Sequence, residues 1–365
     1  MSDVDAGAWD ALVGDGSPFL EHRWLAGLER SSSVGPDQGW LPRPVTVWEG
    51  ERLVAAAPAY LKSHSMGEFV YDWAWADAAH RAGLEYYPKL VVCVPFTPVT
   101  GARLLVAEGE DRHLRVQQLL GGLDAVARQA GCAGVHVLFT TPEETAELVG
   151  FGMMERHQFQ FGWENRGYAT MADFEGALVR RSRKNLRRER RLVAEQVEIE
   201  VQAGETLRHD DLMRMERLYR HTSLSKMGRA YLERGLWEEL ADWGRVVLFV
   251  ARREGRMVAG AFCVQKGDAL YGRYWGCSEQ VDLLHFELCY HRPVQYCIEQ
   301  GLARFEPGQG GGHKYTRGFL PFVCRSAHLL YKGRLHQALA HHCELERDDV
   351  AERVRELRDG GPVKV

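Results

Sequence analysis

Glu254-Gly255-Arg256-Met257-Val258-Ala259-Gly260-Ala261 decides the fold, because the same pattern occurs earlier as Glu49-Gly50-Glu51-Arg52-Leu53-Val54-Ala55-Ala56-Ala57. In each copy an apolar strand, 45–48 or 246–251, enters a charged Gly turn and a second apolar strand leaves it. A further pair of segments recurs in the same order. Ala130-Gly131-Cys132-Ala133-Gly134-Val135-His136 and Gln300-Gly301-Leu302-Ala303-Arg304-Phe305-Glu306 each end a helix at a glycine and open a buried strand. Two matches in one order predict a duplicated α/β domain.

Length and composition agree with two domains. The 365 residues are long for a single core, and 45% hydrophobic with 26% charged residues is ordinary for a globular chain. A formal net charge of -4 gives no global field toward nucleic acid or membrane. No apolar run reaches the roughly 18 residues of a membrane helix. The start, Met1-Ser2-Asp3-Val4-Asp5, is acidic rather than basic, unlike a signal peptide. The eight cysteines show no CxxC spacing and are expected as buried reduced thiols, with no metal site, in a cytoplasmic protein. Hydrophobic periodicity predicts helices over 17–30, 113–130, 171–196, 283–300 (kinked at Pro293) and 335–357, with a buried strand over 135–139. The expected domains are 1–165 and 166–365, the second including the basic helix 171–196.

Four segments carry candidate chemistry. In Arg180-Arg181-Ser182-Arg183-Lys184-Asn185-Leu186-Arg187-Arg188-Glu189-Arg190-Arg191, eight of twelve positions are cationic. Helical spacing puts Arg180, Arg183, Arg187 and Arg191 on one face with Lys184 and Arg188 beside it. Like charges so placed repel by a few tenths of a kcal/mol per pair. In an acidic protein this face meets a polyanion or is simply solvated. The loop Pro307-Gly308-Gln309-Gly310-Gly311-Gly312 precedes His313-Lys314-Tyr315-Thr316-Arg317, where Lys314 and Arg317 are placed to meet an anion or oxyanion. It is not a Walker loop, because no Gly-Lys-Ser/Thr follows. His285-Phe286-Glu287-Leu288-Cys289-Tyr290-His291 offers His285 and Glu287 as acid–base groups, or as hydrogen-bonded core residues. Lys62, His64, Asp72, Trp73 and Trp75 line a polar pocket, or pack as core with Asp72 capping a turn.

Here the chain resembles the FemAB-like family of peptidoglycan biosynthesis and recognition proteins. The resemblance lies in Lys62-Ser63-His64-Ser65 with Gly67-Glu68, Asp72-Trp73-Ala74-Trp75-Ala76-Asp77, Tyr86-Tyr87-Pro88-Lys89-Leu90 and Pro95-Phe96-Thr97-Pro98-Val99-Thr100-Gly101. It continues in His285-Phe286-Glu287-Leu288-Cys289-Tyr290, Phe305-Glu306-Pro307-Gly308 and His313-Lys314 with Arg317-Gly318-Phe319. It implies an α/β (α+β) fold of two tandem GNAT-like domains with a cleft between them. It also implies an aminoacyltransferase that moves an amino acid from aminoacyl-tRNA onto an amine of a peptidoglycan-precursor-like acceptor. By the same resemblance Lys314 stands where relatives place an oxyanion lysine, and Lys62 and Arg183 where they hold precursor phosphates. His64, Asp72, Trp73, Trp75, Thr97, Thr100, Lys184, Arg187, Arg188, Arg273 and Arg317 complete the expected substrate-binding set, with Lys314, His285 and Glu287 as catalytic candidates.

Two departures matter. GNAT enzymes that use acetyl-CoA cradle its pyrophosphate with Arg/Gln-x-x-Gly-x-Gly/Ala, but this chain has Cys277-Ser278-Glu279-Gln280-Val281-Asp282-Leu283-Leu284, with two acids and no glycine. The chain also lacks the coiled-coil arm with which some Fem enzymes contact tRNA. An acyl-CoA-dependent N-acyltransferase is therefore the second enzymatic reading. A non-catalytic binder of anionic glycan or nucleic acid is the reading of another class.

Overall fold

A computed structural model of the chain describes residues 1–364. The chain divides into two compact units: Met1–Phe159 with Val323–Arg353, and Gln160–Phe322 with the residues from Val354 on. The segment Val323–Arg353, expected in the second domain, thus clusters with the first.

The first unit contains the hairpin Val45–Glu49/Arg52–Ala57, extended by Leu105–Val106. A second sheet runs in the order Trp40–Pro42, Ala59–Lys62, Lys89–Val92, Gly134–Thr140 and the 325–330 part of Leu320–Leu330. Lys89–Val92 is antiparallel to Ala59–Lys62 and parallel to Gly134–Thr140. The helix Arg112–Gln129 makes that parallel crossover, burying Val116, Leu119 and Leu123 with Leu90, Val92 and Val137 of the strands.

The second unit repeats the plan. Glu198–Ala203, Val246–Arg253, Arg256–Lys266 and Ala269–Cys277 form an antiparallel run. Ala269–Cys277 then pairs in parallel with Arg304–Glu306, which pairs antiparallel with Glu164 and Trp163.

The duplication holds at the level of single bonds. Both hairpins turn in two residues, Gly50-Glu51 between Glu49 and Arg52, and Glu254-Gly255 between Arg253 and Arg256. Left-handed backbone is needed there: Gly50 has φ 59°, Glu254 51° and Gly255 73°. Each hairpin carries a bulge at the same step, Val47/Trp48 and Ala251/Arg252. Both crossover helices end on a left-handed glycine, Gly131 at φ 66° and Gly301 at 67°. Each glycine is followed by a bond back into the last turn, Cys132 N–H to Ala127 O at 2.8 Å and Leu302 N–H to Cys297 O at 2.8 Å. Ala133 N–H then bonds to Pro88 O and Ala303 N–H to Asp268 O, both at 2.8 Å, locking each new strand beside its parallel partner. The mixed α/β fold is therefore a tandem repeat of one topology.

Three predicted helices differ from the structure. The 171–196 segment is two helices, Met171–Ala177 and Arg180–Ala194. The break falls at Leu178, which is fully buried and bridges to Val363, while Val179 N–H bonds to Pro362 O. The 17–30 segment is a single 3₁₀ turn, Pro18–Leu20, and a helix, His22–Arg30, because Glu21 is extended (ψ 142°), and Ser17 forms no side-chain cap. The 283–300 segment passes through a π-helical turn, Glu287–His291, before Arg292–Glu299. That turn absorbs Pro293, which has no N–H for the α ladder. All eight cysteines are free thiols, six of them buried.

One close packing contact gives a stability prediction. A Cβ at Gly276 would lie 2.3 Å from the Leu218 carbonyl carbon and 2.4 Å from the Tyr219 nitrogen, both on the helix His209–Met227. Gly276→Ala should cost about 2–4 kcal/mol through forced separation of helix and strand. Gly121→Ala, inside the helix Arg112–Gln129 with open space around it, should instead gain about 0.5–1 kcal/mol. Urea unfolding of both variants checks the contrast.

Candidate active site

Lys314 lies in the 3₁₀ turn Gly312–Arg317, 2% exposed. The preceding loop turns sharply because Gly308, Gly310 and Gly311 have φ of 88°, 77° and 81°. That turn brings the Gly308 carbonyl onto the Lys314 ammonium, which donates to it. Burial pushes the Lys314 pKa down to about 8; nearby Cys289 opposes the shift and Arg273 adds to it. The group therefore carries a proton at neutral pH and loses it in mild alkali.

A cluster of rings surrounds this turn. His285 packs against Trp275 (5.2 Å between ring centroids), Tyr290 (5.5 Å) and His313 (6.0 Å). The Tyr290 hydroxyl and His313 Nε2 are 2.9 Å apart. Burial, then the charges of His313, Lys226, Arg317 and Lys314, push the His285 pKa down to about 4, so its ring is neutral. Of the three catalytic candidates, Lys314 and His285 come together here. Glu287 does not join them in hydrogen bonding: its Oε1 accepts from Arg190 Nε at 3.2 Å, and Arg190 also bonds Gln295.

Arg317, expected to meet an anion of the substrate, already has one. It forks onto Glu189 (Nε to Oε2 3.0 Å, Nη2 to Oε1 2.7 Å), donates to His313 O at 2.7 Å and lies 3.5 Å over the Phe286 ring. It is thus a positioning residue for the Lys314 turn. Glu189 also accepts from His291 Nε2 at 2.8 Å. Burial works against its charge, but these donors hold its pKa below the usual carboxylate range. Sequence reading passed over Glu189, although a lone acid in a basic run was the available signal.

With Glu189, Leu186, Ser182 and Val193 turned inward, the opposite side of Arg180–Ala194 is mostly cationic. Arg180, Arg183, Lys184, Arg187, Arg188 and Arg191 line one groove. Arg187 pairs with Glu175 at 2.6 Å and Arg191 lies 4.0 Å from Glu195. Arg180, Arg183, Lys184 and Arg188 form no ion pair with any described residue. Arg273 is half-buried on the strand Ala269–Cys277, its guanidinium 5.5 Å from the Tyr274 ring centroid.

The first-unit candidates are mostly interior. Lys62 is fully buried, its ammonium 3.6 Å over the Trp40 ring, 3.2 Å from His64 Nδ1 and donating to Met66 O at 3.2 Å. His64 Nε2 lies 3.0 Å from Gln38 O. Asp72 accepts from Tyr86 at 2.6 Å and from the buried Lys89, which also donates to Glu68 at 2.8 Å and Ser65 at 2.9 Å. Burial raises both carboxyl groups; at Asp72 the Lys89 charge and bond overcome it, so Asp72 ends low while Glu68 ends high. Trp75 is buried, 4.7 Å from the Arg156 guanidinium and edge-on to His328, whereas Trp73 is 52% exposed. Thr97 donates to Pro95 O at 3.0 Å, and the buried Thr100 Oγ1 has no hydrogen-bond partner among the described residues. These residues build an internal ion network in place of the open polar pocket that Lys62, His64, Asp72 and Trp75 were read to line. Lys89 and Glu68, quoted only for resemblance, are its centre. Among the described residues no group of His, Cys, Asp and Glu is arranged to hold a metal, and no helix is long and apolar enough to cross a membrane.

The family model for peptidoglycan biosynthesis and recognition, FemAB-like, matches residues 1–365. The chain belongs to the FemAB-like family. Its fold is shared with FemX (11% identity, 92% of this chain and 98% of that one, TM-score 0.56). It is shared too with the C-terminal DUF2156 domain of a protein described as a lysylphosphatidylglycerol synthetase from Agrobacterium fabrum (12%, 92% and 94%, 0.56). L-PGS from Bacillus licheniformis is similar as well (13%, 96% and 98%, 0.54). No curated protein matches the sequence.

The first unit makes a pH prediction. His136 and His328 are buried with their Nδ1 atoms 2.8 Å apart. Burial, then Lys89, pushes His136 down to about 3; burial, then His136, pushes His328 well below its usual value. An unfolded histidine titrates near 6.5, so below that pH the unfolded chain takes up protons that the folded chain refuses. Stability should be full above pH 6.5 and decline as pH falls toward 3. Melting temperatures at pH 7, 6 and 5 should drop before most carboxylates titrate; equal values at pH 7 and 5 would contradict this reading.

Proposed function

We propose that this FemAB-like chain transfers an aminoacyl group from aminoacyl-tRNA to the amine of a peptidoglycan-precursor-like acceptor. The observation that carries this reading is the cationic groove of Arg180–Ala194, four of whose six cations have no acid partner among the described residues. Clustered cations of this kind match a phosphate backbone and would release its counterions. The segment after Ala269–Cys277 weighs against acyl-CoA. Glu279 sits there, bonded to Arg253 at 3.1 Å, and Leu283, not a glycine, takes the left-handed backbone (φ 67°) at the helix start.

In the transfer the acceptor amine attacks the ester carbonyl, and the C–N bond forms as the electron pair moves onto oxygen. Lys314 steadies that oxyanion, an effect worth about 3–4 kcal/mol for a well-placed donor. Collapse breaks the C–O bond, and the proton lost by the amine ends on the departing ribose hydroxyl. Lys314 must swing its ammonium from the Gly308 carbonyl to the oxyanion, or share it between the two. His285, neutral in its ring of aromatics, is placed to bound the same space without adding charge.

Lys314→Ala should lower kcat roughly a hundredfold or more while KM moves little, because an oxyanion contact forms fully only in the transition state. The wild-type rate should fall as pH rises through about 8, where Lys314 loses its proton. Lys314→Arg should restore part of the rate and lose that alkaline limb, because arginine stays charged. A folded Lys314→Ala enzyme with wild-type turnover would remove Lys314 from the mechanism. For the donor, Arg183→Glu/Arg187→Glu/Arg188→Glu should abolish tRNA binding measured by fluorescence anisotropy, and wild-type binding should weaken steeply with salt. Unchanged affinity in the triple variant would leave the helix merely solvated.

A further inference from the structure

Glu287 and Arg292 flank the π-helical turn, where the Arg292 N–H bonds to the Glu287 carbonyl. That i to i+5 repeat sets the two residues above one another on the helix. Both line a cavity of about 460 Å³, with Arg187, Arg190 and Arg191 on its polar side and Ala194, Val197 and Ile199 on its apolar side. Glu287 is 3% exposed. Its Oε1 is taken by Arg190, but Oε2 is buried with no hydrogen-bond partner among the described residues, and so is Arg292 Nε. Buried polar atoms left unpaired are costly and rare, and a bound group that satisfies them is the simplest reason for them to persist.

The lining specifies the chemistry of that group. Four arginines against Glu175 and Glu287 leave a positive excess that calls for an anion. The apolar side suits a flat ring. An ionised carboxylate oxygen only accepts, so Glu287 Oε2 calls for a donor, N–H or O–H; Arg292 Nε only donates, so it calls for an acceptor. Arg187 and Arg191 also line the cationic groove, so phosphates lying there pass the cavity mouth.

We propose that this cavity binds a nucleotide whose base carries an exocyclic amine. The amine donates to Glu287 Oε2, a neighbouring ring nitrogen or carbonyl accepts from Arg292 Nε, the ring lies on Val197 and Ile199, and the phosphate meets Arg187 and Arg191. The proposal rests on the phosphate-binding reading of the basic helix. Its nucleotide comes from an RNA strand in the groove or from a free nucleotide.

The test is calorimetry on the full-length protein at fixed salt, with CMP, AMP, GMP, UMP, inorganic phosphate and free lysine as probes. At least one amine-bearing nucleotide should bind about tenfold or more tighter than both phosphate and UMP, the discrimination expected of one well-made base contact. Glu287→Gln should erase that preference and leave phosphate affinity unchanged. Ile199→Trp, which fills the cavity without changing charge, should block nucleotides while circular dichroism shows a native fold. Short RNA homopolymers separate the sources. A preference for oligo-C or oligo-A over oligo-U that Glu287→Gln abolishes identifies the strand, whereas base preference among mononucleotides alone identifies the free ligand. Nucleotides binding no tighter than phosphate, an unchanged Glu287→Gln variant, or lysine binding in their place would overturn the proposal. If RNA still binds the wild type and not the Arg183/Arg187/Arg188 variant, that result leaves the aminoacyl-tRNA reading intact while this one falls.

Discussion

The inward ion cluster at Glu189 is the constraint on which the second unit depends. A helix with eight cations in twelve positions repels itself and has little reason to pack. Glu189 gives it one: a buried carboxylate gripped by the Arg317 fork and by His291. That grip fixes three things together. It seats Arg180–Ala194 on the core through Leu186 and Val193, holds the turn bearing Lys314, and leaves the other cations facing outward. Removing one partner from a buried pair of this kind leaves the other charge uncompensated, typically at about 3–5 kcal/mol. Lys314 and the cationic face are therefore linked through one side chain that touches neither substrate in the proposed reaction.

Lys314 sits in a mostly apolar setting. Lys314 is desolvated among rings, which pulls its pKa toward neutrality, yet the Gly308 carbonyl keeps a partner on the ammonium. A low local dielectric strengthens its field at an oxyanion. His285, pushed down in its turn by burial and by the charges of His313, Lys226, Arg317 and Lys314, stays neutral and does not compete for that charge.

The duplicated fold was legible because its signals are local. A two-residue Gly turn and a glycine ending a helix are specified within about seven residues, and both recur, the helix-ending glycines at nearly the same φ. The break at Leu178 was not legible, because it is made by Val363 at the far end of the chain. Lys314 follows its glycines in the sequence, but Tyr290 and His285, which pack against the neighbouring His313, come from an element whose approach only the fold sets. Lys62, Asp72 and Trp75 left pocket and core both open for a physical reason: an open polar pocket and a buried ion network use the same residue types. Lys89, arriving from another strand, decides between them. For Glu287 the choice between acid–base group and hydrogen-bonded core residue was not legible, since an α-helix reading cannot foresee the π turn on which it bonds Arg190.

The central claim is that the activated carbonyl reaches this enzyme on RNA and leaves it as an amide. The most direct measurement supplies the purified protein with a precursor peptide bearing a free amine. Aminoacyl-tRNA and acyl-CoA are offered in parallel, and loss of ester or thioester is followed together with gain of amide. The account predicts amide formation from aminoacyl-tRNA, dependent on the amine, with acyl-CoA left intact; amide formed from acyl-CoA while aminoacyl-tRNA stays charged would contradict it.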